Sequence, residues 1–144
     1  MASGLDAAMA AVGDRWTLLV VDALLDGPRR FSEIEAGVPG LATNVLTARL
    51  RRLERDGLVV AIPYSRRPLR LEYQVTEAGR ELAGAVRLLS SWGSRSAAGV
   101  GDGAVQEEDA TPRHAVCGSA LETRWYCPTC EVVVERGEVE AHWV

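Results

Sequence analysis

The sequence contains no lysine: all sixteen basic residues among its 144 are arginine. With abundant alanine, glycine and valine this reads as a coding bias and carries little information about mechanism. No cysteine precedes Cys117, and the only two histidines, His114 and His142, lie in the tail. The first 113 residues therefore offer neither a thiol nor an imidazole for nucleophilic or acid–base work. There is no glycine-rich phosphate loop and no Gly-x-Ser-x-Gly elbow, and Asp14, Asp22 and Asp26 fall around an apolar helix at no spacing suited to a paired acid and base. An enzyme is not expected. No run of eighteen apolar residues occurs, and MASGLDAAMAAVGD lacks the basic-then-apolar order of a signal peptide, so a cytoplasmic protein with no membrane partner is expected. In that compartment thiols stay reduced, and an odd, clustered set of cysteines (Cys117, Cys127, Cys130) favours metal over disulfides.

What the chain does contain is 47% apolar and 25% charged residues, enough for a globular domain of about ninety residues with a small appendage. Charge is unevenly placed. Residues 1–92 carry a net +1 and residues 93–144 a net −5, while residues 29–70 alone hold nine arginines against four acids. Such a basic segment suits a nucleic-acid partner, and a solvated helix face would produce the same bias.

RWTLLVVDALLDGP carries apolar residues at Trp16, Leu18, Leu19, Val20, Val21, Ala23, Leu24 and Leu25. That run is too continuous for a surface helix, so a helix buried on most sides is predicted, stopped by Gly27-Pro28. In FSEIEAGV, Ser32 with Glu35 three residues later predicts a capping box, with Phe31 as its staple. Pro39-Gly40 marks a turn. In TNVLTARLRRLERDG, Leu46, Leu50 and Leu53 recur at i, i+4 and i+7, which places Asn44, Ala48, Arg51 and Arg55 on the opposite face and Thr47 on its shoulder. A short helix, a tight turn and a second helix with an arginine-bearing outer face are the parts of a helix-turn-helix. LVVAIPY and LRLEYQV then predict a hairpin joined by SRRP, with Arg66 and Arg67 at its tip. Thr76 caps one further helix, TEAGRELAGAVRLLSSW, whose Leu82, Val86, Leu89 and Trp92 are candidates for contact with a second subunit. The order is that of a winged helix-turn-helix, mainly helical in the α+β class.

The segments GDRWTLLVVDALLDGPRRFSEIEAGVPGLATNVLTARLRRLERDGLVV, LRLEYQVTEAGREL and SSWG resemble the HxlR family of bacterial transcription regulators, which are MarR-like, dimeric DNA binders. The resemblance covers roughly residues 5–93 and rests on Gly13, Trp16, Arg30-Phe31, Glu33, Leu46-Thr47, Arg49-Leu50, Asp56-Gly57-Leu58, Tyr73, Val75-Thr76 and Gly79, in that order. Two departures stand out. The family commonly has a serine capping the recognition helix where this chain has Ala42, so Thr43 is expected to take over the cap. Some relatives also sense oxidants through an N-terminal cysteine, which this chain lacks.

The resemblance implies that helix 43–56 enters the major groove. Asn44, Thr47 and Arg51 are then candidates for base edges, with Thr43 at the helix start, since asparagine suits adenine and arginine suits guanine. Arg66 and Arg67 of the wing (residues 65–68), joined by Arg30 and Arg55, are candidates for phosphate contacts that position without reading sequence. A homodimer would recognise double-stranded DNA with two-fold symmetry.

From residue 93 the texture becomes rich in glycine, alanine and serine and then acidic, which reads as a linker over 94–112 between a DNA-binding and dimerisation domain (1–93) and a terminal module (113–144). His114-x-x-Cys117 and Cys127-x-x-Cys130 are two knuckles separated by nine residues, flanked by strand-like ALETRWY and EVVVE. They predict a small β zinc ribbon holding one structural Zn²⁺ per chain through four nitrogen and sulfur ligands, with His142 a rival to His114. A metal-free dithiol of Cys127 and Cys130, or incidental cysteines, would give the same residues. Trp125, Tyr126 and Trp143 would form a miniature core or line a pocket for a small-molecule or protein effector. The favoured reading is a dimeric repressor. A thiol-based redox regulator using Cys127 and Cys130, and a protein-interaction adaptor, are the alternatives.

Overall fold

In a computed structural model that describes residues 3–97, 113–122 and 124–134, the first element is a helix that apolar periodicity does not predict. Helix α1 (Gly4–Val12) is opened by local chemistry: the Ser3 hydroxyl accepts from the Asp6 amide at 3.1 Å and the Asp6 carboxylate accepts from the Ser3 amide at 2.9 Å. Helix α2 (Arg15–Leu25) follows, with Asp14 as its cap. That carboxylate accepts from the Thr17 amide at 3.1 Å, from the Thr17 hydroxyl at 2.5 Å and from Arg49 Nε at 2.9 Å. Thr17, Val20, Val21 and Leu24 are buried, and Trp16, Leu18, Ala23 and Leu25 pack half-buried against the same core, which leaves only Arg15, Leu19 and Asp22 exposed along one edge, so α2 is covered on most sides.

Strand β1 (Arg29–Arg30) leads into α3 (Phe31–Gly37). The capping box expected at Ser32 and Glu35 does not form. The helix begins at Phe31, Glu33 accepts from the Arg30 amide at 2.6 Å, and Glu35 instead accepts from the Thr43 hydroxyl at 2.5 Å. Helix α4 (Thr43–Arg55) is capped by Ala42 in extended conformation with no side-chain hydrogen bond, so Thr43 does not take over the cap and is the first helical residue. Its predicted stripe is buried: Leu46, Leu50 and Leu53 are 0%, 2% and 1% exposed. Each such side chain contributes about 2 kcal/mol by leaving water, which outweighs the missing cap.

Strands β2 (Val59–Arg66) and β3 (Leu69–Val75) form the wing, antiparallel from Val59 opposite Val75 to Arg66 opposite Leu69, with β1 on the other edge of β3. The single long helix expected after Thr76 is two: α5 (Glu77–Arg80) and α6 (Ala83–Ala97). Gly79 lies against the Leu58 carbonyl, where a Cβ would collide, and Leu82 closes a short turn back to the Gly79 carbonyl at 3.2 Å. The same junction takes the Thr76 amide onto the Leu58 carbonyl at 3.0 Å and the Thr76 hydroxyl onto the Gly57 carbonyl at 2.7 Å. Val86 belongs to the core with Val20, Leu24, Ile34, Leu46 and Leu50, and Leu82 packs against it. Helices α3 and α4 with the β2–β3 hairpin make this a winged helix-turn-helix of the α+β class.

The chain divides into two compact units, Met1–Val86 and Arg87–Val144, so α6 crosses the division and runs to Ala97, past the start of the expected linker. In the second unit β4 (Trp125–Cys127) and β5 (Val132–Val134) pair antiparallel, and Arg113 bridges Ala120. Trp125 and Tyr126 are exposed, which corrects the expectation of a miniature core; Trp143 lies outside the described residues. Among the described residues no helix is long and apolar enough to cross a membrane.

Burial raises the Asp14 pKa, but the Thr17 hydroxyl and amide and then the Arg49 guanidinium outweigh it, and the net shift is downward. Asp14→Ala removes a helix cap and leaves Arg49 without its partner, so it should cost about 1–2 kcal/mol. Melting should fall by roughly 5–10 °C at neutral pH. A group whose folded pKa is depressed stabilises most above its unfolded value, so the two melting temperatures should converge as pH falls below the ordinary aspartate value of 3.8. A constant gap between the two proteins down to acid pH would show that the ionised carboxylate is not responsible.

Candidate nucleic-acid interface

The face of α4 opposite its leucines carries Asn44, Ala48, Arg51 and Arg55, all exposed. Thr47 is half-buried and donates its hydroxyl proton to the Thr43 carbonyl at 2.9 Å. That leaves a methyl group and acceptor lone pairs, a surface suited to a thymine methyl or a base donor. Thr43 is exposed at the helix start with its hydroxyl on Glu35.

Partners sort the arginines of the basic segment. Arg29 donates to the Ala23 carbonyl at 2.6 Å and pairs with Asp26 at 3.7 Å. Arg49 is held by Asp14, and Arg52 donates to the Ala10 carbonyl and lies 3.6 Å from Asp56. These three are structural: Arg49 ties α4 to α2, and Arg52 ties α4 to α1. Arg55 lies 3.9 Å from Asp56 with its side chain 74% exposed, a pair of little energetic consequence. Arg51, Arg66, Arg67 and Arg70 carry no hydrogen bond or ion pair among the described residues, and all four are exposed. Arg70 was missed in reading the sequence. The available signal was its place in SRRPLR, where pairing opposite Ser65 keeps it on the wing beside Arg66 and Arg67. Arg30 is not free: its guanidinium lies 4.6 Å from the centre of the Tyr64 ring, joining the start of α3 to the wing.

The four residues proposed for subunit contact also separate. Val86 is buried and Leu82 half-buried in the core of the first unit. Leu89 and Trp92 are exposed at 51% and 63%, together with Leu88 at 50%, which leaves an apolar surface on α6.

In the tail the structure forms two pairs. His114 Nδ1 lies 3.2 Å from Cys117 Sγ, and Cys127 is hydrogen-bonded to the Cys130 thiol. All three cysteines are free thiols. Hydrogen bonds from the Ser119 hydroxyl and amide, and then from His114, bring Cys117 down to about 7. The amides of Cys130 and Thr129, and then the Cys130 thiol, lower Cys127. Both shifts favour the thiolate, the form that binds metal or attacks a disulfide. Among the described residues no three His, Cys, Asp or Glu side chains lie close enough to hold one ion, and His142 is outside the described residues.

Residues 11–99 match the HxlR-like helix-turn-helix family. The chain belongs to the HxlR family. An uncharacterised HTH-type transcriptional regulator of Mycobacterium tuberculosis is 36% identical over 126 residues, covering 85% of this chain and 74% of its own length. That span exceeds residues 11–99, so the similarity reaches into the tail. The redox regulator HypR in its reduced form superposes with a TM-score of 0.63 at 32% identity, over 66% of this chain and 94% of HypR. Reduced YodB from Bacillus subtilis gives 0.57 at 29% identity, over 71% of this chain and all of YodB (100%). Transcription regulators and not enzymes surround this HxlR-family chain, and its helix-turn-helix is a DNA-binding element.

The Arg30–Tyr64 stack should appear as coupling between two substitutions. Arg30→Ala and Tyr64→Ala should each lower stability, and the double variant should lose less than their sum by about 0.5–1 kcal/mol, read by denaturant unfolding. Strict additivity would show that the Arg30–Tyr64 stack contributes nothing to stability.

Proposed function

We propose that the protein acts in the cytoplasm as a homodimeric repressor, each subunit laying α4 in the major groove of a two-fold symmetric operator. The observation that carries this reading is the set of exposed arginines without a hydrogen bond or ion pair among the described residues: one on the outer face of α4 and three on the wing. A protein that keeps four guanidinium groups unpaired in a segment otherwise laced with ion pairs presents them to an external anion. Asn44, Thr47 and Arg51 read base edges, while Arg66, Arg67 and Arg70 hold phosphates and Arg55 assists at the helix end. The exposed Leu88, Leu89 and Trp92 are the surface that a second copy covers, which sets the two recognition helices about one helical turn apart.

A second reading is favoured by the free, hydrogen-bonded thiols of Cys127 and Cys130 and by the likeness to HypR, a redox regulator. In it, a two-electron oxidant joins the two sulfurs with loss of both protons, and the disulfide changes DNA affinity. The sensing residues would then differ from an N-terminal cysteine, since no cysteine precedes Cys117.

Both readings meet in one titration of DNA carrying the protein's own promoter. If a dimer neutralises about six phosphates, log K should fall against log salt with a slope near −5. Arg66→Ala and Arg70→Ala should each weaken binding to all sequences alike and flatten that slope, whereas Arg51→Ala should relax preference at one base pair per half-site. Indifference to all three changes would overturn the assignment. A diamide-dependent loss of binding, reversed by dithiothreitol and abolished by Cys127→Ser, would put the redox reading first.

A further inference from the structure

We propose that His114, Cys117, Cys127 and Cys130 bind one structural zinc ion, and that two hairpins of identical construction deliver them. The proposal is independent of the DNA-binding reading.

In the first hairpin the Gly118 amide donates to the His114 carbonyl at 2.8 Å, the His114 amide donates to the Ser119 carbonyl at 2.8 Å, and Arg113 bridges Ala120. In the second, the Glu131 amide donates to the Cys127 carbonyl at 2.9 Å, Cys127 pairs with Val132, and Tyr126 pairs with Val133. The register is the same in both: a ligand residue faces the residue five positions on, and the second donor is the fourth residue of the turn. The position after that donor is left-handed in both, Gly118 at φ 72° and Glu131 at φ 56°. Cys127 follows His114 by thirteen positions, and each hairpin carries one donor pair.

Two further observations point to an ion. From residue 113 onward no described residue is buried, so among the described residues no apolar core holds the hairpins. Segments this small require a staple, and a structural metal is one. The donor set, three thiols and an imidazole, suits tetrahedral zinc with no open position. Three thiolates on a divalent ion leave one excess negative charge. Arg113 lies against the first turn, its guanidinium donating to the Gly118 carbonyl at 3.1 Å, and offsets it. Among the described residues no three of these donors lie within reach of one point, so binding one ion requires the two hairpins to close on each other.

The test uses the full chain purified without chelator. One zinc per chain by elemental analysis is expected, and exchange for cobalt should give the intense visible bands of tetrahedral coordination with thiolate charge transfer. Cys127→Ser should abolish binding, His114→Ala should weaken it at least tenfold, and His142→Ala should leave it unchanged. Glutamate in the left-handed position is strained, so Glu131→Gly should tighten zinc binding by up to about tenfold and Gly118→Ala should weaken it similarly. Absence of metal on the full chain, octahedral cobalt, loss of binding in His142→Ala instead of His114→Ala, or indifference to both turn variants would each overturn the site.

Discussion

The outer face of α4 owes its placement to one carboxylate. Asp14 caps α2 through Thr17 and takes the Arg49 guanidinium from the middle of α4, so a single side chain fixes where one helix begins and how the next lies across it. Arginine suits this position because its fork holds direction as well as charge. Arg52 adds a second tether, to the Ala10 carbonyl of α1, on the same side of α4. The leucine stripe supplies the energy of the contact, and the two arginines supply its orientation.

Much of this was legible in the sequence where periodicity and sterics act alone. Leu46, Leu50 and Leu53 specify a helical stripe whatever surrounds them, and the alternating wing strands bracket Arg66 and Arg67. What was not legible depended on competition between local partners. Glu33 and Glu35 both follow Ser32 closely enough to suggest capping, and only the extended backbone of Arg30 decides that Glu33 serves α3 while Glu35 turns to Thr43. Helix α1 has weak apolar periodicity, and its one clear sign was Ser3 with Asp6. The break between α5 and α6 has no local signal beyond Gly79, because its cause is the Leu58 carbonyl, twenty-one residues earlier in the chain.

Counting arginines could not separate anchors from contacts; their partners do. Arg29, Arg49 and Arg52 hold the fold together, Arg30 stacks on Tyr64, and the remaining members of the basic segment face outward. A net charge of −4 over the whole chain therefore coexists with an exposed, arginine-rich face, since the acidic excess resides after residue 92. The tail follows a different rule. With no buried residue among those described from 113 onward, its geometry is written in turn chemistry, and the repetition of one turn at two places is visible only once backbone register is known.

The junction at Gly57 and Leu58 has a mechanical consequence. The peptide that ends α4 is also the acceptor for Thr76 where the wing returns, and Gly79 closes against it from the far side. Helix α4 and the wing are thus tied together at one corner, and in the proposed complex they would meet DNA as a single head. In the proposed dimer, a signal that lowers affinity has little to gain by bending that head. Under the proposed pairing, such a signal would act by changing the distance and angle between two heads.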